Sequence, residues 1–200
     1  MSTINSWTTE KERLEVIARG FDPSIKLYTT DHWISTTLEA LLYYTVLILT
    51  LGFVLYDRWR FRHHFARTFA NYHFYPEEWS VDTVLRVLPH EARHTRQFRF
   101  FGFWIHPLVG LPLMTIVYTL FLLPVFFAIG RLLLEVDAEK TAWYYLYYTG
   151  RVDIQYIRDR SHSCAASLSS GNYFYSTPLC LANFFYSRAA KKTIKELTGV

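Results

Sequence analysis

Two long apolar runs set between strongly charged stretches limit what this chain can fold into more than any other feature. The first, Ser35 to Tyr56, reads STTLEALLYYTVLILTLGFVLY, with Glu39 as its one charge. About 20 apolar residues in a helix cross the roughly 30 Å of bilayer hydrocarbon, so residues 35–56 are expected to form a transmembrane helix. The second run, Ile105 to Leu134, contains Pro107, Gly110, Pro112, Pro124, Gly130 and the single charge Arg131. These breakers suit a membrane-embedded helical hairpin that enters and leaves by one face, and two transmembrane helices are the alternative.

Residues 1–34 are polar and lack the basic start and short apolar core of a cleaved signal, so the first run reads as a retained anchor. Acidic residues outnumber basic ones before it, whereas Arg58, Arg60, Arg62 and Arg67 follow it. The positive-inside rule then places residues 57–200 in the cytoplasm as one domain of an integral membrane protein. The net charge of +4 is read as this cluster meeting anionic head groups of the lipid bilayer. No nucleic-acid-binding motif accompanies it, so nucleic acid is not an expected partner. Cys164 and Cys180 lie outside any CxxC spacing, fit reduced thiols and receive no chemistry.

The aromatic stretch 68–75, TFANYHFY, reads as a short strand segment. Ser80 is placed to cap a helix starting at Val81, with Asp82 in the first turn, where the helix dipole favours a carboxylate. Pro89 removes one backbone bond from that helix and is expected to kink it. Residues 135–148 read as a helix stopped at Gly150, a Ser-rich stretch at 161–170 as looser chain, and residues 173–197 as a final amphipathic helix.

On the later turns of the helix that begins at Val81 stands His90-Glu91-Ala92-Arg93-His94. Histidines four apart share a helix face, so both imidazoles can reach one Zn²⁺ at about 2.0 Å, while Glu91 reaches its water. A catalytic site needs a third protein ligand. Glu135 and Glu139, one turn apart in RLLLEVDAE, are the candidates, and Glu135 is preferred. His63 and His64 are adjacent and point to different faces of a helix.

At this point the sequence resembles the zincins, and more closely the gluzincin-like metallopeptidases, whose HExxH is completed by a glutamate often followed three residues later by alanine. Glu135 with Ala138 matches that spacing, as does Glu139 with Ala142. The resemblance covers roughly residues 68–148. Pro89, directly before the first histidine, and Arg93, between the pair, depart from the family pattern, as does Arg96. The resemblance implies a mainly α, zincin-like helical domain holding Zn²⁺ on His90, His94 and Glu135. It also implies peptide-bond hydrolysis of a peptide or protein substrate, with Glu91 as general base. Tyr144, Tyr145, Tyr147, Tyr148 and His106 are the candidates for stabilising an oxyanion, and His94 is followed at a family-like spacing by Gln97.

Two other functions remain open on the sequence. One is a non-enzymatic integral membrane protein acting by membrane insertion or partner binding. The other is a membrane di-iron oxygenase, which would need several histidine boxes, including an HxxHH that His63-His64 does not complete. Topology separates the readings. A straight helix of about 30 residues over 105–134 would carry Glu135 to the far side of a bilayer from His90, so the zinc site requires the hairpin.

Overall fold

A computed structural model describes residues 7–49, 62–111, 113, 128–170 and 177–199 of the chain. Within them the architecture is mainly α with one small mixed sheet. The chain divides into two compact units, Met1–Arg96 and Gln97–Val200, each with its own apolar core.

The first unit runs α1 (Lys11–Phe21), β1 (Lys26–Thr29), α2 (Trp33–Leu49), β2 (Arg67–Phe69) and β3 (Tyr72–Tyr75), and α3 (Val81–Phe101) continues from it into the second. The strand order is β1-β3-β2, with β1 parallel to β3 and β2 antiparallel to it. Leu14 and Ala18, one turn apart on α1, pack with Ile25, Leu27 and Tyr75 against the α3 stripe Val84, Leu85, Leu88 and Ala92. The stripe repeats at helical spacing, which places the residues between its members on other faces of α3.

The segment 68–75, expected as one extended piece, is mostly a hairpin, because two strands pair in the register Thr68↔His73. Its two-residue loop is Ala70-Asn71, with Ala70 at φ 57°. Tight hairpin loops ordinarily place Gly, Asn or Asp at such a position. Here tertiary bonds hold it instead: Thr95 Oγ1 donates to the Ala70 carbonyl at 2.9 Å, and Asn71 Nδ2 donates to the Ser24 carbonyl at 2.8 Å.

Helix α3 starts where its cap predicts, with Thr83 N donating to Ser80 Oγ at 3.2 Å. It runs through Pro89 to Phe101. In the second unit α4 (Ala128–Tyr148), α5 (Ile154–Leu168) and α6 (Leu179–Thr198) pack around Leu132, Trp143, Ile157, Leu168 and Tyr186. The Ser-rich stretch is helical as far as Leu168, since Ser161 and Ser163 return their hydroxyls to the carbonyls of Arg158 and Arg160. After α3 the chain doubles back on a glycine pair. A side chain on Gly110 would clash with the Phe98 carbonyl, and one on Gly102 would lie 2.6 Å from Gly110 N.

The membrane architecture expected from hydropathy is overturned. Among the described residues no helix is long and apolar enough to cross a membrane. Helix α2, 17 residues long, covers residues 35–49 of the first run. Its Glu39, expected to lie in a lipid-facing helix, is 2 % exposed. It accepts from Arg62 Nε at 3.1 Å and from Arg67 Nη1 at 3.4 Å. A helix face that buries a carboxylate against two guanidinium groups is packed on protein. The transmembrane helix 35–56, the two-span alternative and the assignment as an integral membrane protein fall together. Residues 50–56 of the first run, and residues 112 and 114–127 of the expected hairpin, lie outside the described residues. The end of the second run is the start of α4, which carries Arg131, Glu135, Asp137, Glu139 and Lys140.

One buried polar group ties the sheet to α3. His73 is fully buried, with Nε2 2.8 Å from Thr95 Oγ1. The Thr95 proton goes to the Ala70 carbonyl, so the imidazole donates through Nε2 and is neutral. Burial, with a smaller contribution from His94, lowers its pKa to about 3. Between that value and about 6.5 the unfolded chain holds a proton that the folded chain does not. Stability should therefore fall as pH is lowered from 6.5 toward 5, by about 1.4 kcal/mol per unit from this residue. Urea denaturation across that range should show the slope, and His73→Gln should flatten it.

Candidate metal centre

His90 and His94 stand four positions apart on α3, and the structure turns that spacing into convergence. The two Nε2 atoms lie 3.1 Å apart, with the rings inclined at 80°. Two tetrahedral Zn–N bonds of 2.0–2.1 Å would span roughly 3.3 Å, so the pair is set close to the separation one ion requires. Glu135 of α4 completes the set: one ligand atom from each of His90, His94 and Glu135 lies within 4.8 Å of the others. His94 and Glu135 are buried and His90 is half-buried. Two imidazoles and a carboxylate form a donor set suited to zinc and its first-row neighbours, and three protein ligands leave room for water or substrate.

The two candidate glutamates are separated by their partners. Glu139 accepts from Arg160 Nη2 at 3.0 Å and from the Cys164 thiol at 3.2 Å, both on its Oε1. The carboxylate raises the Arg160 pKa, and burial raises that of the Cys164 thiol, which stays protonated. Glu135 instead has Arg131 Nε 4.0 Å from its Oε1. That distance is long for a hydrogen bond. The choice between 135 and 139 thus depends on which carboxylate α5 claims.

Glu91 is 7 % exposed, and its Oε2 accepts from Thr68 Oγ1 of β2 at 2.6 Å. Its charge and burial together push the Tyr75 phenol well above the usual tyrosine range, burial being the larger cause. Thr68 and Tyr75 were not singled out from the sequence, and only the pairing of the hairpin with α3 exposes their relation to Glu91. Three of the remaining sequence candidates are engaged elsewhere. Tyr144 donates to Glu196, His106 Nδ1 accepts from Leu108 N at 3.2 Å, and His63 pairs with Glu78 at 2.9 Å.

Gln97 acquires a definite position. One turn beyond His94 on α3, it is 6 % exposed, and its Nε2 donates at 3.0 Å both to the Leu134 carbonyl and to Asp137 Oδ2. These acceptors bracket Glu135 in the sequence of α4. The signal in the sequence was the three-residue step from His94 to Gln97. Its acceptors had none.

No protein-family model matches this sequence, and no curated protein and no solved structure matches it either. The finding that stands is a His90/His94/Glu135 group able to hold a metal ion. Outer groups that orient ligands commonly account for 10–100-fold in metal affinity. Gln97→Ala should weaken divalent-metal binding by about that factor, read by competition with a chromophoric chelator. Glu139→Gln, which alters the unselected carboxylate, should change it by less than about threefold.

Proposed function

We propose that this chain is a zinc-dependent hydrolase of the peptidase type, cutting peptide bonds. The observation that carries the reading is the approach of His90, His94 and Glu135 to a common point with Glu91, the residue after the first ligand, buried on the same helix. His90, His94 and Glu135 would hold the ion. Zinc supplies a Lewis acid that polarises a carbonyl and acidifies a water. Glu91 takes the proton of the attacking water and passes it to the leaving amine. The Thr68 hydroxyl fixes the rotation of the Glu91 carboxylate by holding Oε2, an ordering that is in place before substrate arrives. Protein burial around His94, Glu91 and Glu135 limits solvent and strengthens each of these charges.

The test separates metal retention from turnover. Zinc-loaded chain should cleave members of a quenched-fluorescent peptide library, and a chelator should stop it. Glu91→Gln should keep its zinc and lose about 10²–10⁴-fold in rate, the usual weight of a general base. Full zinc occupancy with no cleavage of any peptide, or cleavage untouched by Glu91→Gln, would contradict the peptidase reading and leave a structural metal site.

A further inference from the structure

We propose that the turn after α3, residues 100–109, is a docking surface for an anionic lipid bilayer, entered by side chains of a loop without any spanning helix. The inference is independent of whether the metal site hydrolyses anything. Phe103 is 79 % exposed, Ile105 71 %, Trp104 62 % and Phe100 60 %, and Val109 and Leu108 follow at 50 % and 41 %. Contiguous exposure of this kind is uncommon on a surface that meets only water.

The turn is built to display these groups. Phe103 and Trp104 have φ of 53° and 63°, two consecutive left-handed residues without a glycine between them. Bulky side chains avoid that conformation, and chains that keep it usually do so for function. It is held in place from both sides. Trp104 N donates to the Arg99 carbonyl at 2.8 Å, and Gly102 and Gly110 pack backbone to backbone. A helix end closed by such a turn offers a projecting tip, which enters a fluid interface more readily than it cradles a folded partner.

Charge selects the lipid. From Ala92 to Leu134 the sequence has no Asp or Glu, and Arg93, Arg96 and Arg99 step along α3 toward the turn. Arg96 stands one turn before Phe100 on the same helix face, its guanidinium donating to the neutral Phe21 carbonyl at 2.7 Å and so keeping its charge uncompensated by that bond. Basic residues behind an aromatic and aliphatic tip match the two layers of an anionic bilayer surface: phosphate-rich head groups, then acyl chains. Trp104 at the boundary fits the preference of indole for that depth.

Purified full-length chain, sedimented with phosphatidylcholine vesicles with and without phosphatidylserine, tests this. The expected result is binding that requires phosphatidylserine and weakens as salt is raised. Phe103→Asn combined with Trp104→Asn should reduce binding about tenfold or more. The same variant should melt no lower than the unmodified chain, because asparagine tolerates left-handed backbone. Absence of vesicle binding, or full binding by the double variant, would overturn the proposal. Self-association in sedimentation equilibrium that the double variant abolishes would also overturn it, assigning the turn to a second copy of the chain.

Discussion

A metal ion demands three or more donors at one point, and a helix can deliver only two of them from neighbouring turns. His90 and His94 satisfy the local half of that demand through spacing alone. The third donor has to be brought by another helix, and the constraint on which the centre depends is that Glu135 comes within reach of both imidazoles. Gln97 contributes one side-chain amide placed a single turn from His94 and bonded on either side of Glu135. Gln97 itself is almost fully buried, where an amide left without acceptors would be costly.

Carboxylates are then distributed by the cations that claim them. Glu39 belongs to Arg62 and Arg67, and Glu139 to Arg160 with Cys164. Each is an almost fully buried acid that would be strongly destabilising if its partners were removed. Glu135 is opposed by the two imidazoles and by an arginine at the outer limit of an ion pair. Glu91 is held by a neutral hydroxyl rather than a cation.

The start of α3 and the convergence of its two histidines were legible because they follow from local rules: a cap and a four-residue spacing. Between Glu135 and Glu139, one turn apart and alike in local pattern, spacing does not choose. The membrane span was misread for a physical reason. Hydropathy sums residues along a segment and does not register that Glu39 is met by arginines 23 and 28 residues later. The hairpin was read as a single strand because Ala70 supplies a turn conformation that its residue type does not announce. The Ser-rich stretch read as loose chain because serine competes for backbone bonds, yet in α5 those bonds return to the helix's own carbonyls. Partners such as Thr68 for Glu91, or Arg160 for Glu139, are tertiary facts that no spacing encodes.

The most direct test of the centre is zinc per chain, by elemental mass spectrometry after purification in zinc and removal of free ion. One zinc per chain should be found, lost in His94→Ala and in Glu135→Ala and kept in Glu139→Ala. A chain without zinc, or one that keeps it without Glu135, would contradict the assignment of the three ligands.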